Sequence, residues 1–299
     1  MPSPLCVVPA GDVTGEGATW HALHKAVYWV DINRFLIHRF EPETGNVRNW
    51  FFAEPVTTLG LTDRPDTLIV ALASKVILWQ PANDARADFA NPERGRAGVR
   101  LNDGRPDPAG NFWVGSMPDN VSSQGEDLPI ERDDMGKLFR LSGDGSSTVE
   151  KSGIGISNTF CWSPDSTRFY SGDTLANTIS VWNYDLRSGR IANERPFFAG
   201  FDRGLPDGSA MDREGGLWNA RSGGGCIVRI MPDGAIDRIV EVPATNVTTC
   251  TFGGPQLKTL YITTQRRPGE RLSGGLYALA VDVPGLPENR FRLAGKAAP

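Results

Sequence analysis

A short hydrophobic segment recurs along the chain, and most of its copies follow a polar turn. Aromatic and β-branched residues dominate each copy, which favours a strand. Gly, Pro, Asp and Asn dominate the preceding segments, which is typical of tight turns between antiparallel strands. The six copies begin at Tyr28, Leu68, Phe112, Phe169, Leu217 and Leu260.

The spacing of the copies predicts a β-propeller. Their first residues are 40, 44, 57, 48 and 43 positions apart, and a period near 40 with several short strands per repeat is typical of a propeller blade. A second strand is predicted after each copy, beginning at Ile37, Val76, Lys137, Ile179, Cys226 and Gly275. No long amphipathic helix is evident. We therefore predict an all-β, six-bladed β-propeller, with residues 1–299 as a single domain. A β-sandwich is the alternative, but its turns would recur about every 8–12 residues without a longer period.

The longest interval contains an extra polar and acidic segment, residues 119–136. Its composition predicts a solvated loop. Loops of this length in compact folds are often lids over a site. A surface excursion without a function is the alternative.

Polar residues recur ahead of the copies at nearly constant distance. The first strand of a propeller blade lines the central channel, and the residues 10 to 12 positions before each copy are Glu16, Thr57, Asn102, Asn158, Asp207 and Thr249. Two carboxylates and two amides would therefore meet in one channel with no nearby lysine. A hard divalent cation would relieve their repulsion, and oxygen ligands suit Ca²⁺, Mg²⁺ or Mn²⁺. Taken alone, Glu16 could be a solvent-exposed loop acid, Asn102 and Asp207 could be turn formers, and Asn158 could bond neighbouring backbone amides.

Composition and charge narrow the expected partners and location. Lys+Arg 31 against Asp+Glu 35 gives a net charge of −4, and without a basic run we expect neither nucleic acid nor a membrane as a partner. The amino end does not resemble an export signal, and no stretch has the length and apolarity of a membrane helix. Four well-separated cysteines without a CxxC pair favour reduced thiols. We expect a cytoplasmic protein that is a monomer or a weak homo-oligomer.

At the level of motifs, the chain resembles the regucalcin–gluconolactonase family of six-bladed propeller lactonases. The resemblance covers nearly the whole chain and is most specific in the block 100–117. It also rests on the segments 15–20, 28–32, 157–158, 206–208, 215–218, 252–254 and 273–277. One departure stands out: where the family commonly has Ser-Asn-Gly, this chain has Ser157-Asn158-Thr159. We expect Thr159 to reduce backbone freedom while leaving Asn158 in place.

The resemblance implies a role for each channel residue. Residues matching Glu16, Asn158 and Asp207 bind the metal, which we expect to be Ca²⁺, with Mg²⁺, Mn²⁺, Zn²⁺ or Fe²⁺ as alternatives. Residues matching Arg100 and Asn102 contact the sugar lactone, and Asn102 is counted with the metal in some members. Arg100 could instead form a structural ion pair with a nearby acid. In the inserted segment, we take Asp119 as a further substrate-binding candidate.

The hypothesis that follows is metal-dependent hydrolysis of a sugar lactone. The metal would polarise the lactone carbonyl and activate water, with Asp207 as the general base. Arg100 and Asn102 would orient the ring hydroxyls. Hydrolysis of another ester or of organophosphates on the same scaffold is one alternative, and a non-enzymatic calcium-binding propeller is another.

Overall fold

All regular secondary structure in the computed structural model, which describes residues 3–295, is β-strand. In chain order the strands are β1 (Leu5–Val8), β2 (Gly15–His21), β3 (Ala26–Asp31), β4 (Leu36–Glu41), β5 (Asn46–Phe51), β6 (Val56–Thr62), β7 (Leu68–Leu72), β8 (Val76–Gln80), β9 (Ala85–Ala90), β10 (Val99–Pro106), β11 (Phe112–Pro118), β12 (Gly136–Leu141), β13 (Ser147–Ile154), β14 (Ser157–Trp162), β15 (Arg168–Asp173), β16 (Thr178–Asp185), β17 (Arg190–Ala199), β18 (Leu205–Met211), β19 (Leu217–Ser222), β20 (Cys226–Ile230), β21 (Ile236–Glu241), β22 (Val247–Gly253), β23 (Thr259–Thr264), β24 (Leu276–Ala280) and β25 (Arg290–Phe291).

These strands form six antiparallel blades around a channel. Blades 1 to 5 are β2–β5, β6–β9, β10–β13, β14–β17 and β18–β21, and blade 6 contains β22, β23, β24 and β1. The innermost strands contact one another in the cyclic order β2, β6, β10, β14, β18, β22 and back to β2. The predicted six-bladed propeller is therefore confirmed over the described residues. The prediction of one domain over 1–299 stays a prediction, since residues 1–2 and 296–299 lie outside the described range.

The outermost strand of each blade is its least buried strand. In blade 1, β2 and β3 are buried throughout, β4 is mostly buried, and β5 is exposed except at Trp50. Blades pack face to face with their neighbours, so the inner strands have no solvated side. The recurring hydrophobic segments are the second strands β3, β7, β11, β15, β19 and β23, as predicted.

A shared turn fixes how the second strand begins in blades 3 and 5. Asp107 accepts hydrogen bonds from the amide of Asn111 at 2.7 Å and from the indole Nε1 of Trp113 at 2.8 Å. Asp212 accepts the equivalent bond from Trp218 Nε1 at 2.7 Å. An aspartate that binds amides a few residues ahead stabilises a tight turn. The predicted turns at 107–111 and 212–216 have this local cause.

The ring is closed by the amino-terminal strand, which the sequence pattern did not predict. β1 pairs with β24 and is the outermost strand of blade 6. Val8 is 7% exposed and belongs to a buried cluster that includes Trp20, Trp29 and Leu276. The first strand therefore completes the sheet of the last blade, which leaves no gap between the first and last blades.

The carboxyl-terminal segment 281–294 crosses the end of the channel at which the innermost strands finish, here called the lower mouth. Main-chain hydrogen bonds and the parallel pair β25–β6 tie this segment to blades 5, 6, 2 and 3. Glu288 accepts a hydrogen bond from Thr251 at 2.8 Å and lies 3.7 Å from Arg105. The segment thus covers the lower mouth, and the opposite end is called the upper mouth.

Two further sequence expectations concern membranes and thiols. Among the described residues there is no helix with the length and apolarity required to cross a membrane. Cys6, Cys161, Cys226 and Cys250 are all unpaired, as expected.

We predict that Val8→Ala lowers the free energy of unfolding by about 1–2 kcal/mol, because it removes buried apolar surface from the strand that closes the ring. Chemical denaturation monitored by tryptophan fluorescence measures this change. The matched control is Val7→Ala on the same strand, where the side chain is 37% exposed. Val7→Ala is expected to change stability by less than about 0.5 kcal/mol. Equal effects of the two variants would contradict a closing role for β1.

Candidate active site

Every innermost strand contains a β-bulge at the equivalent position. In blade 1 the pairing register shifts between Glu16 and Thr19, and the other five blades have corresponding shifts. A bulge turns a side chain away from the regular alternation of a strand. The six predicted channel residues lie in these bulges or at their edges: Glu16, Thr57, Asn102, Asn158, Asp207 and Thr249.

Glu16 and Asp207 place two carboxyl groups side by side in the channel. Their exposures are 8% and 9%, and their carboxyl groups are within hydrogen-bonding contact. Gly208 allows this part of blade 5 to pack closely, because a Cβ there would lie 2.0 Å from Thr249 Oγ1. Among the described residues, neither carboxylate forms an ion pair with a lysine or arginine.

This environment raises the pKa of both the Glu16 and the Asp207 carboxyl group. Burial raises the pKa of Asp207 to about 8, and the negative charge of Asp103 adds to the effect. Burial also raises the pKa of Glu16 well above its ordinary value, with further contributions from Asp207 and Asp103. Two acids that disfavour their charged forms are stabilised as carboxylates by a cation, so the donor set fits a divalent metal ion.

Asn158 is oriented as a ligand for such an ion. Its Nδ2 donates to Thr174 Oγ1 at 2.8 Å, and the Thr174 hydroxyl donates to the carbonyl oxygen of Pro206 at 2.7 Å. Because the Asn158 amide nitrogen is hydrogen-bonded within blade 4, its Oδ1 faces the channel, where Asn102 Nδ2 lies 3.2 Å away. An amide oxygen accepts two hydrogen bonds, so one acceptor position remains for a cation.

Asn102 is oriented differently. Its Oδ1 accepts a hydrogen bond from Arg100 Nη1 at 2.7 Å, and its Nδ2 also donates to the carbonyl oxygen of Ser157 at 3.0 Å. The oxygen that a cation would need is therefore next to a guanidinium. This arrangement favours a substrate-contacting role for Asn102 over metal ligation.

Arg100 lies at the site and, within residues 3–295, forms no ion pair with an acid. Its guanidinium donates twice to Asn120 Oδ1, at 2.8 and 3.0 Å, once to Asn102 Oδ1 and once to the carbonyl oxygen of Leu101. Burial lowers the pKa of Arg100 to about 10, and the charge of Asp119 partly opposes this. Four of its five N–H groups are thus occupied, which leaves one for a ligand.

Asp119 begins the inserted loop 119–136, which lies at the upper mouth. Asp119 is exposed, and its Oδ1 accepts a hydrogen bond from the amide of Val121 at 3.2 Å. Most of the loop is exposed, as predicted, but two contacts attach it to blade 1. Asn33 Nδ2 donates to Gly125 O and to Asp127 Oδ1, both at 2.9 Å. Our prediction that this loop acts as a lid stays a prediction.

Asp12, Asp31 and His38 form a second buried group whose ligand atoms lie within 4.8 Å of one another and could hold a metal ion. Trp29 Nε1 donates to Asp12 at 2.7 Å, and Arg34 donates to both Asp12 and Asp31. Because the Arg34 guanidinium already pairs with both carboxylates, a metal ion would have to compete with it. The Glu16–Asp207 pair has no such partner and is the better candidate.

Two residues of the site were not predicted from the sequence. Asp103 follows Asn102 in the bulge of β10 and accepts a hydrogen bond from the amide of Gly104 at 2.8 Å. Burial raises its pKa to about 6, which the nearby backbone amide of Thr159 partly opposes. Strand alternation would point Asp103 away from the face of Asn102, and no residue pattern marks the bulge. Asn120 lies in the loop, where the repeat provides no register.

Comparisons with known proteins agree over nearly the whole chain. A family model described as the SMP-30/gluconolactonase/LRE-like region matches residues 14–266. A pentonolactonase from Haloferax volcanii is 34% identical over 288 residues, 92% of this chain and 94% of that protein. A 6-deoxy-6-sulfogluconolactonase from Pseudomonas putida is 32% identical over 296 residues, 96% of this chain and 97% of that protein. The crystal structure of a calcium-binding protein, regucalcin, from Agrobacterium tumefaciens has a TM-score of 0.89 at 26% identity and covers 98% of both chains.

We predict that, with a chelator present, stability falls as the pH rises from 6 to 8. The folded protein retains protons on Glu16 and Asp207 that an unfolded chain has already released above pH of about 5. The unfolded state therefore binds fewer protons, and stability decreases with pH until it passes the Asp207 pKa of about 8.

Thermal unfolding at several pH values, compared between wild type and Asp207→Asn, measures this effect. Other titrating groups contribute equally to the pH dependence of both proteins. One of them is His21, whose pKa is lowered to about 4 mainly by burial. The pH slope should be shallower in Asp207→Asn and unchanged in Asp202→Asn, an exposed control. Identical slopes in all three proteins would refute the buried acid pair.

Proposed function

The chain belongs to the SMP-30/gluconolactonase/LRE-like family, and from that premise we propose that it hydrolyses a sugar lactone to the aldonic acid, with one divalent cation held by Glu16, Asn158 and Asp207. It is a lactonase, a carboxylic ester hydrolase, by its similarity to the pentonolactonase and the sulfogluconolactonase. The observation that carries the metal proposal is the buried Glu16–Asp207 pair beside the oriented amide oxygen of Asn158.

Ca²⁺ is the cation we propose. Two carboxylates and an amide oxygen are hard donors, which Ca²⁺, Mg²⁺ and Mn²⁺ accept, whereas Zn²⁺ commonly takes nitrogen or sulfur ligands. The similarity to a calcium-binding regucalcin supports this choice. When bound, the cation would polarise the lactone carbonyl and lower the pKa of a neighbouring water.

Asp207 is the residue we propose as the general base. Hydrolysis adds a hydroxyl group to the carbonyl carbon and a proton to the ring oxygen as the acyl–oxygen bond breaks. A carboxylate has two oxygens, so Asp207 can bind the cation through one and accept the proton of the attacking water through the other. The protonated carboxyl group then returns that proton to the ring oxygen. Without a cation, burial raises the pKa of Asp207 to about 8; a bound cation would lower that pKa and keep Asp207 in the carboxylate form that accepts the proton.

Arg100, Asn102 and Asp119 are the residues we propose for binding the sugar. The free N–H of Arg100 would donate to a ring hydroxyl, while its other bonds hold Asn102 and Asn120 in position. Asp119 at the upper mouth offers an exposed carboxylate to a hydroxyl donor. Polar groups around a channel mouth suit a small hydroxylated substrate.

The proposed setting of the reaction is the cytoplasm, with the protein as a monomer or weak homo-oligomer that binds neither nucleic acid nor membrane. The four unpaired cysteines support a reducing compartment. The net charge of −4 gives no reason to expect polyanion binding.

We predict that the purified protein hydrolyses five- or six-membered aldonolactones in a Ca²⁺-dependent manner. A panel of sugar lactones, aryl esters and an organophosphate, assayed with and without chelator, tests it. Chelation should abolish lactone turnover, and added Ca²⁺ should restore it. Turnover that resists chelation would contradict the metal mechanism. Preference for aryl esters or organophosphates would favour a different hydrolase, and metal binding without turnover would favour a non-enzymatic calcium-binding protein.

Within the same assay, Asp207→Asn is expected to lower kcat by about 10²-fold or more, because the variant can neither accept a proton nor bind the cation as a carboxylate. The exposed control Asp202→Asn should retain full activity. Full activity of Asp207→Asn would exclude Asp207 as the base.

A separate prediction concerns Arg100. Arg100→Lys keeps the positive charge but cannot hold Asn102 and Asn120 at once, since an ammonium lacks the guanidinium fork. We expect KM for the lactone to rise about 10-fold or more, with a smaller change in kcat. Steady-state kinetics of this variant beside Arg94→Lys, an exposed control, measure the effect. An unchanged KM would remove Arg100 from the substrate site.

A further inference from the structure

Thr159 has a backbone conformation that a β-branched residue rarely adopts. Its φ is +59°, in the left-handed region, and its side chain is completely buried. It occupies the bulge of β14, between Asn158 and Phe160. Such a conformation is strained for threonine and persists only where surrounding interactions hold it in place.

In blade 1, a glycine adopts the same backbone conformation without strain. Gly17 follows Glu16 in the bulge of β2 and has the same φ of +59°. A Cβ at Gly17 would lie 3.0 Å from Thr58 Cα, so the bulge of blade 1 leaves little room for a side chain. At the equivalent place in blade 4 the chain has a side chain, and that side chain carries a hydroxyl group.

The hydroxyl connects blade 4 to the backbone of Asp207. Thr159 Oγ1 donates to the carbonyl oxygen of Asp207 at 2.6 Å and lies 2.9 Å from Ser209 Oγ. Asn219 Nδ2 donates to the same carbonyl oxygen at 3.1 Å and to Ser209 Oγ at 3.0 Å. Thr159, Ser209 and Asn219 are all buried. The bulge that projects the Asp207 carboxylate is thus fixed by a closed polar network.

The main chain of Thr159 connects a third blade. Its N–H is close enough to the carboxylate of Asp103 in blade 3 to lower the pKa of that group. The left-handed conformation lets one residue direct its N–H toward blade 3 and its hydroxyl toward blade 5. Because Asn158 directly precedes it, Thr159 links three residues of the channel: Asp103, Asn158 and Asp207.

We propose that Thr159 is a positioning residue that sets the spacing between the ligand groups of Asn158 and Asp207. The proposal rests on the proposed function, in which these two residues bind the same cation. The backbone strain at Thr159 is retained because the hydroxyl holds the Asp207 bulge in register with blade 4. Residues that orient metal ligands typically change metal affinity or activity by about 10- to 100-fold when replaced.

Three substitutions in the full-length protein distinguish the effect of the Thr159 hydroxyl from the effects of side-chain shape and backbone strain. Thr159→Val keeps the β-branched shape and removes the hydroxyl, Thr159→Ser keeps the hydroxyl and removes the methyl group, and Thr159→Gly removes both the hydroxyl and the strain. Thr167→Val is the matched control, since this exposed hydroxyl in the same blade binds only within its own turn. The readouts are the Kd for Ca²⁺ by calorimetry, kcat and KM for the lactone, and the Tm of the chelated protein.

We expect the Ca²⁺ Kd of Thr159→Val and Thr159→Gly to rise about 10-fold or more, whereas Thr159→Ser and Thr167→Val stay within about twofold of wild type. In both affected variants kcat at saturating Ca²⁺ should fall more than KM changes. The Tm of Thr159→Gly should equal or exceed that of Thr159→Val, because glycine relieves the strain. If Thr159→Val does not fold, the comparison of Thr159→Gly with Thr159→Ser provides the same test.

Two outcomes would overturn the proposal. Wild-type Ca²⁺ affinity in Thr159→Gly would show that the hydroxyl does not position Asp207, and weak binding in Thr159→Ser equal to that in Thr159→Gly would assign the effect to packing. Both leave the proposed function intact if the wild type binds Ca²⁺ and hydrolyses lactones. A wild type that neither binds Ca²⁺ nor hydrolyses lactones would overturn the proposed function and this inference together.

Discussion

The closure of six sheets into a ring is the constraint on which the rest of the structure depends. Because the innermost strands meet in one cyclic order, residues nearly 200 positions apart, such as Glu16 and Asp207, share one channel. A bulge at the equivalent position in each strand turns a polar side chain toward the axis. The pairing of β1 with β24 keeps this ring closed, and the segment 281–294 covers the lower mouth.

The candidate site combines several features that disfavour the folded state. Glu16 and Asp207 bury two acids side by side, and Thr159 adopts a strained backbone conformation. Buried unpaired acids and strained residues occur mostly at binding and catalytic sites, where interactions with the surrounding structure hold them in place. Here the surroundings are hydrogen-bonded networks: Thr174 orients Asn158, Arg100 orients Asn102, and Ser209 with Asn219 holds the backbone of Asp207. The geometry is therefore set before any cation or substrate binds.

The sequence predicted the features that depend on the repeat. The period of the second strands led to the blades, and counting back from them led to Glu16 and Asp207, because equivalent residues of a repeat occupy equivalent places. Outermost strands such as β5 and β21 were missed because they are largely exposed and mix polar with apolar residues, so they lack the hydrophobic pattern of the buried strands. Asp103 was missed because a bulge has no residue signature, and Asn120 because a loop has no period. The closure by β1 depends on a partner nearly 270 residues away, which no local pattern reveals.

A calorimetric Ca²⁺ titration of the chelator-treated protein at pH 7 tests most directly whether the buried acids Glu16 and Asp207 bind the cation. The titration is repeated in two buffers with different ionisation enthalpies. The single pair of Glu16 and Asp207 predicts one Ca²⁺ site per chain. The raised pKa values of both groups predict net release of protons on binding, since the cation must replace the protons that these acids hold. Asp207→Asn should release fewer protons and bind more weakly. Binding without proton release, or the absence of binding, would rule out a Ca²⁺ site formed by this buried acid pair.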